Sequence, residues 1–500
     1  MLTLFLIFPA LAIAAIVAKA PPKAAALLAT GANLVLALYF ACHFVPGGGG
    51  FQFEETAAWA GTAQNGPGFG LPPIHYHVGL DGISLPLVLL AALVSFCAVA
   101  VTPRETARGA EFFACVLLIS LGVIGAFFSL DLFFLYIFHE FALIPAFLLI
   151  GIWGLGNRQF ASFQLTLYLT LGSLVLLAGV IALGSAYRTF DLSDIVLRLS
   201  VGSDTGVPPA LADPGPRRAF FALFLVGCGI LVSLVPFHTW APPGYASAPP
   251  AAAMLHAGVL KKFGLYVLLR VAWPVFPEVA QQWMPLLLAL VLLHVFYIGF
   301  VALAQKELGT MLAYSSIMHM GYLFLGLLAW NRLGVSGLVF LMVAHGLSTA
   351  LLFALYGEIA RRTGEVRLAH LGGLAKAAPF LASAFVLGAM AALGLPGLPN
   401  FTGELLIFFG AWKAHPVVTA FVLWGAVITA VFLLRAVRDI FFGPLPEKFA
   451  GVGDLRGWDR APYLLLAAAI VAVGVAPNLL LHWIQPAVNA LLAVSAGTAS

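Results

Sequence analysis

Two carboxylates stand inside long runs of apolar residues, where an ionised group is expensive. Glu140 lies about nine residues into a run that extends from about 131 to 153. At about 1.5 Å of rise per residue, this position is close to the middle of a membrane-crossing helix. Glu404 follows the glycine- and proline-rich string 394–403, so its helix resumes at similar depth. A charge there costs several kcal/mol unless it is paired or hydrated, which makes both residues candidates for ion or proton transfer.

Amines and imidazoles occur near the same depth in other apolar runs. Six further residues fall near run centres or beside probable breaks: Lys261, Lys262, His319, His345, His238 and His256. Groups of these types, with water between them, could pass protons sideways through the protein. Lys261 and Lys262 should face different directions on a helix, and His139 is expected to face away from its neighbour Glu140. The competing interpretation of each residue is a packed, hydrogen-bonded side chain without a role in transfer.

The composition requires a lipid environment around these residues. The chain has 500 residues, of which 62% are hydrophobic and 9% charged, and its mean hydropathy is +1.04. A water-soluble fold would lack enough polar surface to cover itself. The basic residues are scattered between apolar runs, so we exclude nucleic-acid binding. The apolar start at Met1 lacks a charged leader, which favours a first spanning helix over a signal peptide.

The four cysteines predict no cofactor in this chain. Cys42, Cys97, Cys115 and Cys228 lie far apart and form no CxxC pair for a metal or an iron–sulfur cluster. The glycines at 451 and 453 follow no predicted strand, so they do not indicate a nucleotide site. We therefore predict that no metal, cofactor or nucleotide binds here, and that any redox chemistry belongs to other chains.

The hydropathy pattern predicts an all-α polytopic membrane protein with about 14 transmembrane helices. A bilayer core needs roughly 20 apolar residues per helix. Counting with that length places the spans at about 1–19, 25–45, 79–102, 110–129, 131–153, 163–186, 219–240, 251–273, 284–304, 309–330, 334–359, 379–412, 416–442 and 462–484. We refer to them below as spans 1 to 14.

Prolines interrupt spans 7 and 12, which predicts two broken helices. Unwound backbone at membrane depth is tolerated where it is buried or lines a wet cavity. The two breaks are five spans apart, as expected for inverted repeats of spans 4–8 and 9–13. The predicted units are an N-terminal three-helix segment (1–109), the two repeats (110–273 and 284–442), and a C-terminal helix with its tail (443–500).

Charge asymmetry between loops predicts the orientation. Fifteen of the 24 lysines and arginines lie in or beside the loops after odd-numbered spans, and six lie in the alternate loops. Because positive loops stay cytoplasmic, both termini should face away from the cytoplasm. The polar insert at about 187–217 should lie on that same far side, as an amphipathic segment or a loop cover.

Several strings resemble one family of membrane subunits. The chain is similar to the M-type, antiporter-like subunits of NADH-quinone oxidoreductase, respiratory complex I, over about residues 75–445. The matching strings are HVGLDGISL (77–85), DLFFLYIFHEFALIPAF (131–147), VPFHTWAP (235–242), AGVLKKFGLY (257–266), MLAYSSIMHMGY (311–322), AHGLS (344–348) and LPGLPNFTGE (395–404).

The resemblance implies roles for particular residues. Glu140 matches the family's essential glutamate, Lys262 its lysine in span 8, and Glu404 the glutamate typical of the M type. His319 and His345 match histidines of the central hydrophilic axis. The implied function is proton translocation in a bacterial inner membrane, driven by quinone reduction elsewhere in the complex. The implied partners are L-like and N-like membrane-arm subunits, so the chain would be a non-redox subunit of an enzyme.

The chain departs from the family pattern beside Glu140. The family usually has a lysine in the first half of span 7 that pairs with this glutamate, and the matching position here is Leu231. Two explanations remain open. Either the additional lysine, Lys261, takes over the role, or the first half of the transfer route works differently or not at all.

Three functions are compatible with these observations. The main one is the complex I subunit. The second is a subunit of a multisubunit cation/proton antiporter or of an energy-converting hydrogenase, which share many of the same strings. The third is a structural membrane module whose pumping is impaired by the change at Leu231.

Overall fold

Helices dominate the computed structural model, which describes residues 1–47, 50–61, 71–200 and 208–497. Apolar segments at membrane depth must satisfy their backbone groups internally, and a helix does so. In chain order the helices are α1 Leu4–Val17, α2 Pro22–His43, α3 Ser84–Val101, α4 Gly109–Phe128, α5 Leu132–Trp153, α6 Arg158–Tyr187, α7 Leu192–Ser200, α8 Pro214–Leu231, α9 Ala241–Ser247, α10 Pro250–Gly258, α11 Phe263–Val267, α12 Trp273–Val275, α13 Pro277–Gln282, α14 Met284–Ala304, α15 Leu308–Ala329, α16 Arg332–Thr363, α17 Leu374–Ala377, α18 Pro379–Ala392, α19 Pro399–Ala414, α20 Pro416–Val422, α21 Trp424–Phe441, α22 Ala461–Val475 and α23 Asn478–Gly497.

The polytopic membrane fold is confirmed. Within the described residues, eleven helical segments are long and apolar enough to cross a bilayer. Shorter or less apolar helices occupy the three remaining predicted spans: α1 at span 1, α8 at span 7, and α18 with α19 at span 12. The inverted repeat and the domain boundaries stay predictions.

A β-hairpin at one end of the bundle was not predicted. Strand β1 (Gln52–Ala60) pairs antiparallel with β2 (Ile74–Leu80), with Thr56 opposite His77. The predicted start of span 3 at residue 79 was wrong, because β2 continues to Leu80 and α3 begins at Ser84. Asp81 marks this boundary by accepting hydrogen bonds from the backbone N–H groups of Ile83 and Ser84 at 3.0 and 2.9 Å.

Both predicted helix breaks are present. In span 7, α8 ends at Leu231 and α9 begins at Ala241. In span 12, α18 ends at Ala392 and α19 begins at Pro399, and the intervening Gly394 and Gly397 have φ of +77° and +91°. Those φ values suit glycine, which has no Cβ to clash with the backbone.

Span 8 is also irregular, which the sequence analysis did not predict. Helix α10 ends at Gly258 and is followed by a 3₁₀ turn over Leu260–Lys262. A π-helical turn over Leu268–Ala272 then connects α11 to α12. The adjacent lysines therefore lie in a tight turn between helical segments.

The final predicted span, 462–484, was wrong in its second half. Helix α22 ends at Val475, and Pro477 follows directly before a separate helix, α23. Proline disfavours helical conformation in the residue before it and cannot donate its backbone nitrogen, so the chain turns here. Helix α23 packs against α7 and α16, with Leu480, Ile484 and Val488 buried.

Helix α7 fulfils the prediction of an amphipathic segment in the polar insert. Leu192, Ile195 and Leu199 are buried on one face, whereas Leu197 on the other is exposed. Residues 201–207 of the insert lie outside the described residues. The chain termini share this end of the bundle, because the amino group of Met1 pairs with Glu55 of β1 and α23 contacts α7.

Glycines bring the central helices α10 and α16 into backbone contact. A Cβ added to Gly346 would lie 2.7 Å from the carbonyl oxygen of Gly258, and one added to Gly258 would lie 3.1 Å from that of Gly346. Since interiors are close-packed, larger residues would force the helices apart. This approach brings the lysine turn of span 8 beside α16, which is buried along nearly all its length.

His77 ties the hairpin to the segment before α7. Its ring nitrogens contact Asp191 at 2.5 Å and Glu54 at 3.0 Å. The backbone of Leu130 completes the link by donating to the His77 carbonyl and accepting from the N–H of Leu192. The hydrogen bond to Asp191 is the main cause that raises the pKa of His77, and contact with the imidazole lowers the pKa of Asp191.

We expect His77→Gln to lower thermal stability more at about pH 6 than at about pH 9. A histidine with a raised folded-state pKa stabilises fully below its ordinary pKa of about 6.5, and loses that contribution as pH rises through the folded value. Asp191 remains ionised at both pH values because its pKa is lowered. Charge-assisted hydrogen bonds contribute about 1.5–3 kcal/mol each. Melting curves of the purified protein measure the difference.

The matched control is His75→Gln on the same strand, whose ring has no ion pair among the described residues. Asp131, beside Asp191, also titrates in this window, because burial raises its pKa to about 6. It is unchanged in both variants, so their difference isolates His77. An equal loss of stability at the two pH values would contradict the ion-pair account.

Candidate functional site

Glu140 on α5 is held by hydroxyl groups and lies at the side of the bundle. Ser173 of α6 donates a hydrogen bond to its Oε1, and Tyr136, one turn earlier, is also within hydrogen-bonding reach. The side chain is 28% exposed, and the nearby Phe141 and Ile144 are exposed as well. This carboxylate therefore lies at the boundary between the protein interior and the lateral surface of the bundle.

His139 faces a different direction from Glu140, as expected from its helix position, yet the two side chains lie near each other. Its ring points inward and stacks on Phe263, with centroids 4.2 Å apart and planes 18° apart. Nevertheless its Nδ1 lies 3.8 Å from Oε1 of Glu140. The ring also interacts electrostatically with His256 of α10. Long side chains leaning across the helix surface bring together neighbours that a helical wheel separates.

The two lysines of span 8 point in different directions, as predicted. The ammonium group of Lys262 donates to the carbonyl oxygen of Ala257 at 2.6 Å. The Nζ atom of Lys261 has no hydrogen-bond partner among the described residues and stands 5.4 Å from the centre of the Tyr245 ring. Both side chains are buried. Burying two amines costs free energy unless they are paired or hydrated, which makes both lysines candidates for a functional role.

His256 connects the lysines to Tyr245. Its Nδ1 lies 3.2 Å from the Tyr245 hydroxyl, and its Nε2 has no hydrogen-bond partner in the described part of the chain. His256 interacts electrostatically with both Lys261 and Lys262. It is therefore part of the same cluster as the lysines.

The next members of the row are His345 on α16 and His319 on α15. Their ring centroids are 5.3 Å apart, and both rings interact electrostatically with Lys262. A cavity of about 10 Å³ between them is lined also by Ser315 and Thr349. That volume is near the minimum that holds one water molecule, so the site allows a water bridge between the histidines.

Both ring nitrogens of His319 face backbone carbonyl oxygens. Its Nδ1 lies 2.7 Å from the Ser315 carbonyl oxygen, and its Nε2 lies 2.8 Å from that of Ala392. Because carbonyl oxygens only accept hydrogen bonds, both contacts are satisfied together by the doubly protonated ring. Ala392 ends α18 at the break in span 12, where helix carbonyls lose their partners within the helix. The broken helix thus supplies an acceptor to the site.

Glu404 ends the row. Its Oε1 lies 3.9 Å from Nε2 of His319, and the residue is only 5% exposed. Tyr322 of α15 is an electrostatic neighbour. The described residues thus form a row of titratable groups, with close contacts at its two ends and electrostatic interactions between its middle members. Its members are Glu140, His139, His256, Lys261 with Lys262, His345, His319 and Glu404.

Comparison with known proteins identifies the family to which this arrangement belongs. The family model described as NADH:quinone oxidoreductase/Mrp antiporter, TM, matches residues 129–429. The chain therefore belongs to this antiporter-like family. The matched segment contains all eight predicted site residues.

Individual relatives of this antiporter-like chain match nearly its whole length. It is 33% identical to NADH-quinone oxidoreductase subunit M of Rhodobacter capsulatus, over 98% of this chain and 95% of the relative. It is also 33% identical to F(420)H(2) dehydrogenase subunit M of Methanosarcina mazei, over 93% and 92%. A chain of respiratory complex I from Thermus thermophilus superposes with a TM-score of 0.85 at 31% identity, covering 98% of this chain and 100% of that one.

A more distant likeness shows the fold alone. A chain of the Mrp complex from Dietzia superposes with a TM-score of 0.81 at 22% identity, covering 99% of each chain. The arrangement of helices is therefore shared by chains of two different complexes.

His238 belongs to a side branch of the site in this antiporter-like chain. It lies in the break between α8 and α9, packs edge-on against Tyr297, and interacts electrostatically with Lys261 and His294. His294 is completely buried, its Nε2 lies 2.6 Å from the Ile317 carbonyl oxygen, and the sequence analysis did not include it among the site residues. Its place near the centre of an apolar run could have singled it out.

The surroundings of Glu140 bear on the missing family lysine at position 231. Among the described residues no lysine lies within ion-pair distance of Glu140, whereas His139 does. Leu231 is buried and apolar at the end of α8. The structure thus shows no direct ion pair between Lys261 and Glu140.

We expect Gly394→Ala to impair proton movement through Glu404, whereas Gly397→Ala does not. Both glycines have positive φ, so both alanines introduce similar backbone strain of about 1–2 kcal/mol. Only at Gly394 would the new Cβ meet Glu404, 2.6 Å from Oε2, and displace the carboxylate. Thermal melting and proton translocation by the assembled complex are the measurements. Equal translocation by the two variants would show that the position of this carboxylate is unimportant.

Proposed function

We propose that this chain is the proton-translocating, antiporter-like M subunit of a respiratory NADH-quinone oxidoreductase. The observation that carries the proposal is the buried row of titratable side chains from Glu140 to Glu404. It runs across a chain that is 33% identical, over almost its full length, to a subunit M. The row consists of groups that exchange protons, and its breaks in helix structure provide space and backbone acceptors.

Short separations at the two ends of the row, and electrostatic interactions between its other members, support transfer along it. Two unit charges 4 Å apart interact by about 4 kcal/mol at an effective dielectric constant of 20. The distance from His319 Nε2 to Glu404 Oε1, 3.9 Å, is close to this separation. Protonating one member therefore changes the proton affinity of the next by a large factor. A charge introduced at one end can drive protons through the row in sequence.

In the proposed role, the chain is a subunit of an enzyme but does not carry out the redox step. Its four cysteines lie far apart in the sequence, and no cofactor is expected here. Electrons would reach quinone through other subunits, and this chain would use the released free energy. The relatives include subunits of both NADH-quinone oxidoreductase and F(420)H(2) dehydrogenase. The identity of the electron donor thus belongs to the rest of the complex.

The lateral face around Glu140 supports assembly with neighbouring membrane-arm subunits. A partly exposed carboxylate facing lipid would be costly, and the adjacent exposed Phe141 and Ile144 are apolar. A neighbouring subunit covering this face would remove the carboxylate from lipid.

We propose that the chain is a multi-pass protein of the bacterial inner membrane with both termini on the non-cytoplasmic side.

We expect Glu140→Gln and Glu404→Gln each to reduce proton pumping by the reconstituted complex while leaving uncoupled quinone reduction nearly unchanged. Glutamine keeps the shape of glutamate but cannot carry the proton. The measurement is the number of protons moved per electron in proteoliposomes. Glu447→Gln, an exposed residue outside the row, is the control. Full pumping by both site variants would refute the function of the row.

A further inference from the structure

We infer that His139 is a proton-transfer residue that links Glu140 to the lysine and histidine cluster of span 8. The inference rests on the proposed function and adds a residue that the sequence analysis did not include among the candidate site residues. Glu140 and the cluster lie on different helices, so a proton must cross between them. The His139 ring lies at that crossing.

The contact with Glu140 is close but incomplete. His139 Nδ1 is 3.8 Å from Glu140 Oε1, beyond hydrogen-bond length, and has no other hydrogen-bond partner in the described part of the chain. Leaving a buried polar atom unpaired costs about 1–3 kcal/mol. A small rotation of either side chain, or one bridging water, would complete the bond. The geometry suits a contact that forms and breaks during a transfer cycle.

The ring of His139 also lies beside the cluster. Stacking on Phe263 fixes the plane of the ring, and Phe263 directly follows Lys262. His139 interacts electrostatically with His256, which in turn interacts with both lysines. Because an imidazole has two nitrogens, Nδ1 can exchange a proton with the carboxylate while Nε2 exchanges one with the cluster.

In the part of the chain that the structure describes, no other cationic group competes for this position. Among the described residues, His139 is the one group capable of positive charge within 4 Å of Glu140. Ser173 and Tyr136 hold the carboxylate through neutral hydroxyl groups. Helix α8, which packs against α6, ends in apolar residues such as Leu231. A proton leaving Glu140 inward thus meets His139 first.

The transfer step conserves protons and moves no electrons. The O–H bond of the protonated Glu140 carboxyl breaks as the bond from hydrogen to Nδ1 of His139 forms, leaving a carboxylate and an imidazolium. The imidazolium then loses the proton on Nε2 to His256 or to a lysine amine. The neutral ring that remains carries hydrogen on Nδ1, and it returns to the starting tautomer before the next cycle.

The test compares His139→Phe and His139→Asn with wild type in the complete complex reconstituted into proteoliposomes. Phenylalanine keeps the ring stacked on Phe263 but has no nitrogen, and asparagine places an amide nitrogen near the Nδ1 position without the ability to relay a proton. We expect both variants to lose as much proton pumping as Glu140→Gln. We also expect His139→Phe combined with Glu140→Gln to be no worse than Glu140→Gln alone. His482→Phe on the exposed side of α23 is the control.

Infrared difference spectra provide a signal that a packing role would not change. The carboxyl band of Glu140, identified by its absence in Glu140→Gln, should shift in His139→Phe because the carboxylate loses its neighbouring proton acceptor. If one of the two His139 variants fails to assemble, the other decides the matter.

The possible results separate the inference from the proposed function. Full pumping by Glu140→Gln would refute the function of the row itself. Impaired Glu140→Gln with normal pumping and an unshifted band in His139→Phe would refute only the role of His139. If in addition Lys261→Met lost pumping, the transfer would proceed through Lys261 without His139.

Discussion

The organisation of this protein depends on the cost of keeping ionisable groups away from water. Seven of the groups in the central row are buried, and each needs neighbours that stabilise whichever protonation state it holds. Backbone carbonyl oxygens, hydroxyl groups and a carboxylate provide such neighbours for several members. Because the members lie in a poorly hydrated interior, a charge on one alters the proton affinity of the next.

Irregular backbone segments supply polar contacts to the row, in addition to those made by side chains. The break in span 12 releases the carbonyl of Ala392, which is paired with His319. The turn after α10 brings the Lys262 ammonium group to the carbonyl of Ala257. A regular helix would have used such carbonyls internally. Each irregularity therefore provides a polar contact at a depth where water is scarce.

Close packing holds the row together across helices that are distant in sequence. The backbone contact between Gly258 and Gly346 places α10 against α16, and with it the lysine turn near His345. The hairpin, α7 and α23 cover one end of the bundle, where His77 fastens the hairpin through Asp191. Glu140, at one end of the row, lies at a lateral face of the bundle, where we propose that a neighbouring subunit packs.

The amino-acid sequence by itself determined the membrane fold, the helix breaks in spans 7 and 12, and the candidacy of Glu140, Lys262 and Glu404. Long apolar runs, prolines and buried charges are local signals that need no knowledge of distant contacts. The hairpin, the turn of α22 into α23 and the irregular span 8 depended on tertiary contacts that these signals do not report. The position of the His139 ring also depended on tertiary contacts. A helical wheel directs this residue away from Glu140, but packing on Phe263 leaves its Nδ1 3.8 Å from the carboxylate. Only the folded chain decides which side chains from different helices become neighbours.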